Sequence, residues 1–143
     1  MLLHKIVPIE GDINKDGLAM KPDVRSTLER ELDVLISCAA SVDFNESLPD
    51  AININYLGCM RMLDLAHSCK QLQVFTHVST AYVNCEKKGF IKEQIYDIEV
   101  DSDDLIKKIL QMSKKEQDDN LKAILGAWPN TYTFTKSMAE RTL

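Results

Sequence analysis

Tyr132 and Lys136 are four residues apart and form the pair in the sequence best suited to acid–base chemistry. Residues at i and i+4 share one face of a helix, so the ammonium group would lie beside the phenol. A neighbouring cation stabilises the phenolate form of a tyrosine, which makes proton exchange easier at neutral pH. Lys136 could also donate hydrogen bonds to the hydroxyl groups of a cofactor ribose.

Two further polar features could complete such a site. Ser79 and Thr80 follow an apolar run that predicts a parallel strand, and ligands of doubly wound folds bind at that end of a strand. A hydroxyl there can hydrogen-bond a carbonyl oxygen whose charge grows during hydride transfer. Asn55 lies inside a predicted helix, where asparagine is a poor helix former and indicates a polar contact. Taken singly, these residues also fit a turn, a cap or a solvated side chain.

The predicted elements bring these residues to one edge of a sheet. Apolar runs at residues 32–40 and 72–79 are typical of strands covered on both faces, and residues 49–70 have helical periodicity. Strand, helix and strand predict a right-handed βαβ unit. The other predictions are an edge strand at residues 5–10, a loop at 13–22, a helix at 23–31 capped by Asp23, an irregular segment at 84–100, a helical segment at 101–126 and a helix from Thr131.

Small and acidic residues follow the other predicted strands. Ala39 and Ala40 end the first buried strand, where a flat cofactor could approach the backbone, although tight packing explains them equally. Asp12 follows the edge strand and could accept a hydrogen bond from an adenine amino group, although a Gly-Asp turn is the simpler explanation.

Composition narrows the class of protein. The chain has 143 residues, 45% of them hydrophobic, and a net charge of −5, which predicts one folded domain and argues against a nucleic-acid surface. No two of its four cysteines have the C-x-x-C spacing of a zinc site, so we expect no metal and reduced thiols. No apolar stretch is long enough to span a membrane, and the N-terminus lacks the layout of a signal peptide.

Five stretches together resemble the fatty acyl-CoA reductase family, which has an extended short-chain dehydrogenase fold. They are residues 5–12, 38–44, 53–58, 77–84 and 128–140, and the last two are the most specific. The resemblance runs nearly end to end. It implies an α/β fold: a partial doubly wound, Rossmann-like parallel sheet with flanking helices, lacking the first two strands and the C-terminal strands.

The resemblance also implies roles for individual residues. Tyr132 would donate the proton to the reduced carbonyl, and Lys136 would hold the ribose and tune Tyr132. Thr80, or less favourably Ser79, would bind the carbonyl oxygen, and Asn55 would be the central-helix asparagine. The cofactor would be NADPH, flanked at its adenine by Asp12 and Ile13 and lined by Cys38, Ala39 and Ala40.

The activity implied is reduction of long-chain acyl-CoA to a primary alcohol with two NADPH. The family would place the protein inside the cell, on the cytosolic face of peroxisomal or endoplasmic-reticulum membranes, attached through regions outside this chain. Another extended short-chain dehydrogenase or epimerase would use the same residues, so that reading stays open, as does a non-catalytic nucleotide-binding protein on this scaffold.

One departure from the family is large. The five glycines never approach the G-x-x-G-x-x-G spacing of its phosphate-binding turn. We therefore expect residues 1–143 to be an internal part of a single nucleotide-binding reductase domain, incomplete at both ends. Alone, such a fragment would expose an apolar sheet edge, aggregate and lack activity.

Overall fold

The structure, a computed structural model, describes residues 5–143. It contains two short strands, and helices precede, separate and follow them. A tight turn at Asp16–Ala19 precedes the first helix. The elements are α1 (Pro22–Glu31), β1 (Val34–Ser37), α2 (Leu48–Ala51), a π-helical segment (Ile52–Leu57), α3 (Gly58–Ser68), β2 (Val74–His77), α4 (Ser102–Gln111), α5 (Lys114–Asp119), α6 (Leu121–Leu125) and α7 (Thr131–Thr142).

The two strands form a parallel pair joined by the long helical crossover. Val34 lies opposite Val74 and Ser37 lies opposite His77, so both strands end at the same edge. The predicted βαβ unit is confirmed, and with its flanking helices it is part of a Rossmann-like fold. The strands are shorter than predicted, so residues 38–40 and 79–80 lie in the loops that follow them.

The prediction that both faces of β1 are covered was wrong for the part of the chain that the structure describes. Leu35 and Ser37 are buried, but Val34 is 51% exposed and Ile36 is 63% exposed on the opposite face. Side chains of a strand alternate between two faces, and only the face toward α3 is covered here. A continuous apolar run thus indicates residues that can be buried. Which of them are buried depends on the elements that pack against each face of the strand.

Two predictions at the start of the chain were also wrong. Residues 6–10 form no strand, because a strand needs a hydrogen-bonding neighbour and none of the described residues provides one. Helix α1 begins at Pro22 with Lys21 in the cap position, and Asp23 lies in its first turn. The fixed φ of proline suits the first helical position, which moves the start one residue ahead of Asp23.

The predicted helical segment at residues 101–126 is divided into three helices. Asp101 caps α4, and Ser113 and Glu116 form a reciprocal capping box that starts α5. Ile106 and Ile109 of α4 then join the larger of two apolar clusters, together with Ile52 and Phe134. This cluster fixes α7 against the long crossover helix, and a smaller one around Leu35 and Leu65 holds α3 against β1.

Gly58 is a close-contact position in the long helix. A Cβ atom there would lie 2.7 Å from Cγ1 of Ile13, so the loop at residues 12–15 could not keep its place. Gly58→Ala should lower the free energy of unfolding by about 1–2 kcal/mol, because overpacking outweighs the better helix propensity of alanine. Urea unfolding of the natural protein measures this.

A double-mutant cycle supplies the control for that prediction. Ile13→Ala removes the clashing atom, so Gly58→Ala should cost less in the Ile13→Ala background than in the wild type. Equal costs in both backgrounds would show that Ile13 does not set the size limit at position 58.

Candidate functional site

Helix α7 positions the tyrosine–lysine pair. Asn130 caps the helix by accepting a hydrogen bond from the Thr133 N–H at 2.8 Å, so Thr131 begins the helix as predicted. Phe134 and Met138 are fully buried and hold α7 against the core. Tyr132 and Lys136 therefore lie one turn apart on a helix that cannot rotate without opening this packing.

Lys136 is the most unusual charged residue of the structure, since its side chain is only 2% exposed. Its Nζ donates to the Val78 carbonyl at 2.5 Å, directly after β2, and lies 3.3 Å from Nε2 of His77. Burial lowers the pKa of Lys136 from its usual value, and the nearby Cys59 and Cys38 oppose that shift. The ammonium is thus fixed beside the carboxyl end of the sheet.

Tyr132 occupies the first turn of α7 and is half-buried. Its ring packs against Phe44, which belongs to the loop after β1, with the ring centroids 5.4 Å apart and the planes tilted by 33°. The phenol is therefore placed between the loop after β1 and the helix that carries Lys136.

Asn55 joins three parts of the site, which corrects the reading of a solvated side chain. The Asn55 Oδ1 accepts from the Ser41 N–H at 2.9 Å, and its Nδ2 donates to the Ser41 carbonyl at 3.2 Å and to Thr135 Oγ1 at 3.2 Å. The side chain is 2% exposed and lies in the π-helical segment, a form often found at functional sites. It thus ties the loop after β1 to α7.

Asn55→Asp should lower the free energy of unfolding by about 2–4 kcal/mol. A carboxylate cannot donate to Ser41 or Thr135, and it would be a buried charge facing a carbonyl. Asn53→Asp is the matched control on the same segment, because Arg61 donates to Asn53 Oδ1 at 3.1 Å and would pair with the new carboxylate. Urea unfolding should show a loss below about 1 kcal/mol for the control. Equal losses would contradict the role given to Asn55.

The two hydroxyl candidates after β2 differ in their bonding. Thr80 Oγ1 accepts from the Tyr82 N–H at 3.3 Å. Ser79 Oγ is buried and has no hydrogen-bond partner among residues 5–143. A buried hydroxyl without a partner is costly, so a ligand that supplies one would be favoured there. The geometry therefore makes Ser79 the stronger candidate of the two.

The predicted cofactor-lining residues fall into two groups. Cys38 and Ala39 are exposed and Ala40 is half-buried in the loop after β1, which Asn55 holds through Ser41. Asp12 and Ile13 lie in a separate turn that packs on α3: Asp12 Oδ1 accepts from the Asn14 N–H at 2.9 Å, and Arg61 donates to the Ile13 carbonyl at 3.0 Å.

Several functional contacts were not predicted from sequence. His77 and Cys59 approach each other with Nδ1 and Sγ 3.2 Å apart, and Thr135 contacts Asn55. His77 is the last residue of β2 and precedes Val78, whose carbonyl accepts from Lys136, and Thr135 precedes Lys136 itself. A polar residue at the last position of an apolar strand was the available signal for His77.

These residues fit a dinucleotide at the carboxyl ends of the strands. Small side chains are accessible after β1, the buried Ser79 hydroxyl after β2 has no partner among residues 5–143, and a fixed ammonium lies beside them. In the part of the chain that the structure describes, no cluster of three His, Cys, Asp or Glu residues could hold a metal ion. Residues 5–143 also include no helix long and apolar enough to cross a membrane.

Comparison with known proteins agrees with this arrangement. A family model described as "Male sterility protein", an NAD-binding domain, matches residues 1–143. Fatty acyl-CoA reductase 1 of Xenopus laevis is 40% identical over 137 residues, which cover 96% of this chain and 26% of the relative. The human fatty acyl-CoA reductase 1 is 35% identical over 96% of this chain and 26% of its own length.

A plant relative extends the similarity. Fatty acyl-CoA reductase 8 of Arabidopsis thaliana is 32% identical over the whole of this chain and 34% of its own length. The chain thus spans about a quarter to a third of the curated relatives. Since the family match covers every residue that builds the site, the chain belongs to the fatty acyl-CoA reductase family, whose NAD-binding domain takes a nicotinamide cofactor.

Proposed function

We propose that this chain is part of the single reductase domain of an enzyme that reduces long-chain fatty acyl-CoA to a primary alcohol with NADPH. The observation that carries the proposal is the Lys136 ammonium, buried and held 2.5 Å from the Val78 carbonyl at the carboxyl end of β2. Burial of a cation costs free energy. A catalytic role for the Lys136 ammonium, beside a proton donor and a nicotinamide, would explain why it is buried.

Tyr132 is the proton donor in this proposal. Reduction of a carbonyl places negative charge on its oxygen, and a phenol one helical turn from the fixed cation can donate to that oxygen. Ser79, whose buried hydroxyl lacks a partner among residues 5–143, or Thr80 holds the same oxygen by a hydrogen bond. Asn55 ties α7 to the loop after β1, which keeps Tyr132 and Phe44 together.

The cofactor-holding residues are Lys136, Cys38, Ala39 and Ala40, with Asp12 and Ile13 toward the adenine. NADPH, when bound, supplies the hydride. Lys136 donates to the ribose hydroxyls, and the small residues after β1 leave room for the ring system. Phe44, in the loop after β1, packs against the Tyr132 ring.

Incubating the natural protein with NADPH and a long-chain acyl-CoA tests the proposal. Two NADPH should be oxidised for each primary alcohol formed, with free CoA released. An epimerase would turn over a sugar nucleotide without net oxidation of NADPH, and a binding protein would bind NADPH without consuming it. Either of those results would reject the proposed reaction.

A further inference from the structure

The imidazole of His77 bridges Lys136 and Cys59. Its Nε2 lies 3.3 Å from Nζ of Lys136, and its Nδ1 lies 3.2 Å from Sγ of Cys59. The three side chains come from β2, α7 and α3, so the contact joins one strand to the two helices packed around it. No step of the proposed reaction uses His77 directly.

The chemistry of the neighbours fixes the tautomer of the ring. An ammonium group has donors and no acceptor, so Nε2 must accept from Lys136 and Nδ1 must carry the ring proton. The Nδ1–H then donates to Cys59 Sγ. Burial, reinforced by the charge of Lys136, lowers the pKa of His77 to about 4, so the ring is neutral at physiological pH. Burial raises the pKa of Cys59 to about 11, so its thiol stays neutral as well.

We propose that His77 is a positioning residue for Lys136: its neutral ring and the Val78 carbonyl accept two of the three ammonium protons and direct the third toward the cofactor. This inference rests on the proposed function, which gives Lys136 its task. Besides His77, the ionisable groups that face the ammonium are Cys59 of α3, Cys38 after β1 and Glu140 of α7. The ammonium depends on neutral acceptors, because no carboxylate of the described residues forms an ion pair with it.

Two variants of His77 in the natural protein separate positioning from packing. His77→Leu keeps comparable bulk and removes the acceptor, so Lys136 should lose its proton at a pH about one unit lower. The alkaline limb of the kcat profile should move down by the same amount, and kcat at pH values above both limbs should fall about tenfold. His77→Gln can place an amide oxygen near the Nε2 position, and it should restore kcat to within about threefold of the wild type.

An exposed histidine provides the matched control. His67 lies on the outer face of α3, and His67→Gln should keep the wild-type profile. NMR of protein labelled at its lysine Cε positions measures loss of the Lys136 proton directly, and does so without turnover. The wild-type ring, labelled with 15N-histidine, should show Nδ1 as the protonated nitrogen.

Three results would overturn the inference. They are a folded His77→Leu protein in which Lys136 titrates as in the wild type, a folded His77→Gln protein as impaired as His77→Leu, and a wild-type ring protonated at Nε2. The 15N-histidine spectra decide even if His77→Leu does not fold, since they need only the wild type. They also decide if the wild type reduces no acyl-CoA, a result that would reject the proposed function and leave the contact between His77 and Lys136 to be judged by itself.

Discussion

Replacing Lys136 with methionine should reduce kcat/KM at least ~100-fold and weaken NADPH binding, in the natural protein. Methionine has a similar length and is tolerated in cores, so the change removes the charge while largely keeping the volume. It leaves the Val78 carbonyl and His77 Nε2 without their donor. Each hydrogen bond to a charged group contributes roughly 1.5–3 kcal/mol, which sets the scale of the expected loss.

The stability of Lys136→Met should change little, and this separates chemistry from folding. Removing a buried cation relieves its desolvation cost, which offsets the two acceptors that lose a partner. Lys108→Met, on the exposed face of α4, is the matched control and should retain wild-type kinetics. Fluorescence titration with NADPH and steady-state rates measure both effects. A folded Lys136→Met protein with wild-type kcat/KM would contradict the role given to the ammonium.

Tyr132→Phe should reduce kcat by about 100- to 10,000-fold while NADPH affinity stays within about threefold of the wild type. The substitution removes one hydroxyl and leaves the ring that packs on Phe44, so the surrounding structure has no reason to move. The loss is confined to the step that needs a proton, because cofactor binding depends on Lys136 and the loop after β1 in the proposed arrangement.

Tyr82→Phe is the control for that substitution. Tyr82 lies in the loop after β2 and is 60% exposed, so Tyr82→Phe should behave as the wild type. If Tyr132→Phe retained more than about a third of the wild-type kcat, another group would have to donate the proton. The Ser79 hydroxyl, which has no hydrogen-bond partner among the described residues, would be the first to examine.

Much of this architecture follows from local signals in the sequence. The spacing of apolar residues predicted the long crossover helix and both strands, and the last helix was predicted to begin at Thr131. The Tyr132–Lys136 spacing fixed their common helix face. An asparagine inside a helix indicated a polar contact, and the structure shows Ser41 and Thr135 as its partners. These predictions depend on interactions between residues that are close in the chain, and such interactions can be inferred from residue type and spacing.

Other features depend on what lies across the fold. Whether Ile36 is buried is decided by the element that covers its face, and whether residues 6–10 pair is decided by a neighbouring strand. The contact between His77 and Lys136 joins residues 59 positions apart. Its partners are visible in the sequence, but their approach is set by how α7 packs on the crossover helix.

Isotope transfer tests the central claim most directly. The natural protein should be incubated with NADPH deuterated at the transferred position and a long-chain acyl-CoA, and the product should be analysed by mass spectrometry. We expect a primary alcohol with two deuterium atoms on its terminal carbon, formed by the wild type and lost in Tyr132→Phe. Absence of deuterium from the alcohol, or an undiminished yield from Tyr132→Phe, would contradict the account.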